Sequence, residues 1–155
     1  MKAPEKINPR DGSDYLRVLT KAVFQAGFNW SVIEKKWPGF EQAFDNFDPF
    51  IVATYSDSKL SELAADTRIV RNHSKIEATV HNAQVIVDKT NEFGTFKAYL
   101  DSLGDFETTV KTLRKNLKWL GDFGAYYFLW VVNQPVPSYE DWCRSRGVKP
   151  MTIDN

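Results

Sequence analysis

The sequence predicts an all-α fold. Apolar residues recur at helical spacing along almost the whole chain, and five-residue alternation of the strand kind is nearly absent. Ser, Thr or Asp also precede apolar stripes where helices would begin. With 155 residues, 43% of them apolar and including five Trp, six Tyr and eleven Phe, the chain has material for one core and no length for a second domain. The expected organisation is a flexible lead-in at 1–12, one helical domain at 13–147 and a tail at 148–155.

Taken in order, Ser13 is the expected cap of a first helix with the stripe Leu16, Leu19, Val23 and Ala26, and Gly27 suits its stop because glycine tolerates left-handed backbone. Ser31 with Glu34 has capping-box spacing for a short helix broken at Pro38 and Gly39, after which a further helix buries Phe40, Ala43, Phe44 and Phe47. Asp48-Pro49 is a cap followed by first-turn proline, and a helix around Leu60, Leu63 and Ala64 comes next. Ser74 with Glu77 opens a long helix with Ile76, Val80, Ala83 and Val87 on one face, ending at Gly94. Thr95 starts a helix that stops at Gly104, and Asp105 starts another with the stripe Phe106, Val110, Leu113 and Leu117. LGDFG at 120–124 interrupts the pattern before a very apolar helix, Ala125 to Val132. The prolines of QPVPS force an extended linker, and Ser138 with Asp141 opens a last helix through Arg146.

Several classes of function are excluded. One cysteine, Cys143, rules out an internal disulfide framework and fits a reducing cytoplasm. With His73 and His81 it makes too few soft ligands for a structural zinc, so no metal or other cofactor is expected. The opening MKAPEKINPR has no signal-peptide run, and AYYFLWVV at 125–132 is too short to span a bilayer, so a cytoplasmic protein without membrane contact is expected. Net charge is zero, so any nucleic-acid affinity must come from local basic clusters such as Arg68, Arg71, His73 and Lys75, or Lys111, Arg114, Lys115 and Lys118.

Three constellations can carry chemistry. Amides freed at the glycine bend of 120–124 and at the next helix's N-terminus can hold a phosphate, although the same pattern is that of an ordinary helical hairpin. QAGFNW at 25–30 displays Phe28 and Trp30 at a helix end, where one ring can fill the gap left by an extruded base and the other can stack on that base; both also suit a core. Glu140 and Asp141 can stabilise positive charge on a sugar or orient water, and a helix N-terminus alone would also favour them.

Together these segments resemble the 3-methyladenine DNA glycosylase I family of the helix-hairpin-helix glycosylase superfamily. QAGFNW is similar to the family's QAG-plus-Trp pocket element, and WPGFEQAFDNFDP to its segment ending in an aromatic, Asp and Pro. RIVRNHSKIEATVHNA and LGDFGAYYFLWVV resemble its Arg, Lys-Ile and Asn-Ala stretch and its DNA-binding hairpin, in the same order. The resemblance implies a helix-hairpin-helix fold and a monomer that flips an alkylated base such as 3-methyladenine from duplex DNA and cleaves its glycosidic bond. It implies a base pocket of Trp30 and Gln25 with Tyr15 and Phe24 in the wall, Phe28 as the intercalating plug, and DNA-backbone contacts at Lys118, Gly121, Gly124, Arg71 and Lys75. By its place after the hairpin, the acidic pair Glu140 and Asp141 would assist catalysis.

Two departures stand out. The family's pocket acid lies three residues before the Gln of QAG, where this chain has Ala22, and the zinc-binding Cys and His residues of many members are missing. The loss of the acid leaves open a glycosylase-like protein that binds damaged or abasic DNA without cutting it. Zero net charge leaves open a helical interaction domain with no DNA role.

Overall fold

A computed structural model describes residues 3–151. Its helices are α1 (Gly12–Gln25), α2 (Trp30–Ala43), α3 (Pro49–Val52), α4 (Asp57–Ala64), α5 (His73–Phe93), α6 (Phe96–Asp101), α7 (Phe106–Asn116), α8 (Asp122–Val131) and α9 (Tyr139–Arg146), with a 3-10 turn over Asp45–Phe47. Among the described residues there is no strand. The 21-residue α5 runs through the middle and packs against α1, α3, α4 and α6, while α1 also packs against α2 and α8. One continuous core runs through these helices, and a small satellite of Tyr126, Trp142 and Cys143 fixes α9 on α8.

Four helix starts fall where the sequence places them: the side chains of Asp48, Thr95, Asp105 and Ser138 each accept a hydrogen bond from a first-turn amide. Three do not. The caps of α1, α2 and α5 are Asp11, Asn29 and Asn72, each two residues before the expected Ser13, Ser31 and Ser74. Asp and Asn rank with Ser as caps, so where both occur the earlier one adds half a turn of helix. Glu34, expected to close a capping box, instead pairs with Lys21 at 2.6 Å.

The break expected at Pro38 and Gly39 is absent, because α2 passes straight through both. Proline in a helix interior removes one backbone hydrogen bond, but the surrounding rings outweigh it. Trp37 stacks on Phe40 at 5.1 Å and on Phe47 at 5.3 Å, and Phe44 stacks on Phe47 at 5.5 Å. Gly39 serves contact, not termination, since a Cβ there would overlap the Arg68 carbonyl. In the buried stripes Ile86 takes the place expected of Val87, and Ala26 is exposed.

The lead-in makes contacts with α8. Ile7 N–H donates to the Val131 carbonyl at 2.7 Å, the Trp130 indole N–H donates to Pro4 O at 2.9 Å, and Lys6 lies 4.3 Å over the Trp130 ring. Residues 1 and 2, and residues 152–155 of the expected tail, lie outside the described residues. No described helix is long and apolar enough to cross a membrane, and no described cluster of His, Cys, Asp and Glu could hold a metal.

Candidate functional site

The end of α1 meets the start of α8 at a close contact. Gly124 has no side chain, and a Cβ there would sit 3.1 Å from Leu120 Cδ1 and 3.9 Å from Ala22 Cβ. Two small residues, Ala22 and Gly124, thus let the helices approach. Beside this contact opens a cleft of about 310 Å³ with two lips. The first is the α1–α2 turn, Gln25 to Trp30, with Gly27 at φ +67° and the Asn29 side chain accepting from the Ser31 amide at 2.9 Å. The second is the bend into α8, carrying Gly121, Asp122, Phe123 and Gly124, with Tyr127 one turn further on.

Trp30 and the glycine bend therefore face one cavity. Trp30 is half-buried, its ring 5.9 Å from Phe123 and 6.1 Å from Tyr127. Gln25 is buried and presents the cleft with a carboxamide. Burial pushes the Tyr127 phenol up to about 12, helped by the charge of Glu34 and opposed by the neighbouring Gln25 carboxamide. The phenol therefore stays neutral at physiological pH. Ala22 forms part of the wall and offers no carboxylate there. A separate recess among Pro4, Trp30, Tyr126, Trp130 and Tyr139 has no polar surface and could not read a base edge.

The bend itself is held from α5. The Asn82 side chain brackets Lys118, accepting from its N–H at 2.8 Å and donating to its carbonyl at 3.2 Å, and His81 Nε2 donates to the Asn116 carbonyl at 2.9 Å. Gly121 caps α8 with no side-chain hydrogen bond, which leaves the first amides of that helix open to a ligand. Asp122 turns to Arg146, whose Nε donates to it at 2.9 Å and whose other nitrogens reach Glu107 at 2.8 and 3.0 Å. Phe28, in the turn that forms the first lip, is 43% exposed. Lys118 is exposed beside the second.

Other expected site residues are elsewhere. Tyr15 and Phe24 belong to the core, Tyr15 against Phe96 at 5.1 Å and Phe24 edge-on to Phe40 at 4.8 Å, so neither lines the cleft. Lys75, expected on a phosphate, is buried; its ammonium donates to the carbonyls of Ala26 at 2.8 Å and Phe24 at 3.3 Å, below the end of α1. Arg71 is exposed in the loop before α5 and not at the cleft. Glu140 and Asp141 are exposed and line none of it, with Asp141 paired to Arg144 at 3.0 Å. The cause is the proline linker, which seats Trp142 on Tyr126 with ring centroids 4.7 Å apart and leaves the first turn of α9 in solvent.

Sequence reasoning gave no site role to Phe123, Tyr127 or Asn82. The i, i+4 spacing of Phe123 and Tyr127 puts both rings on one face of α8 and could have flagged them. Asn82 stood only inside the Asn-Ala stretch of the family resemblance, and its neighbours do not reveal a partner 36 residues away.

This arrangement has the fold of the 3-methyladenine DNA glycosylases I. A solved structure of the Staphylococcus aureus enzyme matches with a TM-score of 0.72 at 24% identity, over 83% of this chain and 79% of that one. Another 3-methyladenine DNA glycosylase I matches with a TM-score of 0.71 at 20% identity, over 81% of each chain. The family model for methyladenine glycosylase matches residues 7–120, and the chain belongs to that family. It is 35% identical to DNA-3-methyladenine glycosylase 1 of Escherichia coli (strain K12) and 32% identical to the DNA-3-methyladenine glycosylase of Haemophilus influenzae, over 60 residues in each case. That stretch covers 39% of this chain and 32% of each relative, about a third of their length.

Proposed function

We propose that this chain is a DNA N-glycosylase that extrudes an alkylated base such as 3-methyladenine from duplex DNA and hydrolyses its bond to deoxyribose, acting as a cytoplasmic monomer. The observation that carries this reading is the single cleft shared by Trp30, Gln25 and the Gly121–Gly124 bend. Trp30 stacks on the extruded base, Phe28 fills the vacated stack, and the open amides of α8 with Lys118 hold the strand. An N3-methylated adenine in DNA is cationic and leaves readily, so stacking, orientation and the neutral edge formed by Gln25 and Tyr127 suffice without the acid absent at Ala22. The carboxylate in the cleft, Asp122, is already neutralised in part by Arg146.

The test is incubation with methylated duplex DNA and chromatography of the liberated bases. Release of free 3-methyladenine, slowed roughly tenfold or more by Trp30→Ala, is the expected result. Absence of any free base sinks the enzymatic reading. A second reading, binding of damaged or abasic DNA without cleavage, is favoured by one observation, the methyl group of Ala22 in the cleft wall. It predicts affinity for an abasic-site analogue with no base release however long the incubation.

A further inference from the structure

Trp119 stands between α7 and α8 with φ +60°, in the left-handed region that a side chain with a Cβ disfavours. It is 56% exposed, more than any other large hydrophobic side chain among the described residues. Among those residues no aromatic ring or cation packs on it. The backbone around it is nonetheless fixed. Leu117 and Leu120 are buried on either side, and Asn82 and His81 grip the chain at residues 118 and 116. The fold therefore holds an exposed indole in a conformation that glycine or asparagine would adopt more easily.

Its surroundings indicate what the ring meets. Trp119 lies two residues before Gly121 and Phe28 directly follows Gly27, so an exposed ring adjoins each lip of the cleft in sequence, although neither ring lines it. Next to it are exposed Lys118 and the basic last turn of α7, Arg114 and Lys115. A flat apolar face among exposed cations suits nucleic acid, where bases stack on the ring and phosphates meet the charges.

We propose that Trp119 is a second DNA-contacting aromatic, packing on the unstacked nucleotide next to the extruded one, across the cleft from Phe28. This rests on the DNA reading of the cleft but not on turnover.

The experiment uses the full chain and duplexes carrying a tetrahydrofuran abasic analogue with 2-aminopurine beside it. The wild type should bind and change the 2-aminopurine emission. Trp119→Ala should bind this duplex roughly tenfold more weakly and lose the emission change, with the salt dependence unaltered because no ion contact is removed. Trp119→Phe should keep most of both signals. Trp119→Gly separates function from folding: glycine suits the left-handed backbone, so its thermal midpoint should match or exceed wild type while its DNA affinity falls as for alanine. Wild-type affinity and emission change in Trp119→Ala would overturn the proposal alone. Failure of the wild type to bind any duplex would overturn the DNA reading together with it.

Discussion

The two lips of the cleft are built differently. At the α1–α2 turn the chain is shaped by its own neighbours: Gly27 takes the left-handed backbone, Asn29 caps the next helix, and Lys75 adds a prop from below. At the bend before α8 there is no side-chain cap, and the left-handed residue is a tryptophan. The bend is held by a distant helix, through Asn82 and His81. The first lip is written into its own segment, whereas the second depends on its tether. Removing the long-range partner should therefore harm the second lip more.

The largest effect is expected at Asn82. Asn82→Ala leaves the Lys118 N–H and carbonyl without partners and should cost about 2–3 kcal/mol. Denaturant unfolding measures the loss, and faster hydrogen exchange at the Lys118 amide locates it. An unchanged midpoint with a protected amide would show that the bend holds itself. Lys75→Ala removes two hydrogen bonds as well, but it also removes a buried ammonium, and that relief offsets part of the loss. About 1 kcal/mol is expected, and a loss above that of Asn82→Ala would reverse the comparison.

A smaller effect sharpens the same contrast. Burial lowers the Lys75 ammonium below its ordinary 10.5, so between that lowered value and 10.5 the unfolded chain carries more protons than the folded one, and stability rises with pH. The neutral amine can still donate to both carbonyls. The stability gap between wild type and Lys75→Ala should widen as pH climbs toward 10.5. A gap that narrows over this range would mean that the bonds need the charge. Least perturbing is Lys118→Ala, which should leave thermal stability unchanged and reduce the salt slope of duplex binding by about one. A slope equal to wild type would remove Lys118 from the strand contact.

The same contrast explains what the sequence made legible. Caps at Asp48, Thr95, Asp105 and Ser138 act within one turn, and each was readable from its neighbours. Where Asp or Asn stood two residues before a serine, local rules could not rank the two, and α1, α2 and α5 begin earlier than expected. Pro38 looked like a helix end because the rings that carry α2 past it, Trp37, Phe40 and Phe47, include one beyond the helix. Trp30, Gln25, Gly121 and Gly124, singled out by a resemblance of motifs, line one cleft. Lys75, Tyr15 and Phe24 were misplaced because whether a helix face points to core or cleft depends on which helix covers it. Glu140 and Asp141 were misplaced because the linker's path, and not its length, decides where α9 docks.

Lys75 and Asn82 are seven residues apart on α5, which on an α-helix is two turns on nearly the same side and about 10 Å of rise. One touches the α1–α2 lip and the other the bend before α8. The rod between them is thus a ruler that sets the span of the mouth, and its graduations are whole residues. Substitutions along it would alter its packing but keep the span, whereas one inserted residue would swing the far mark by about 100° and dismantle the calibration.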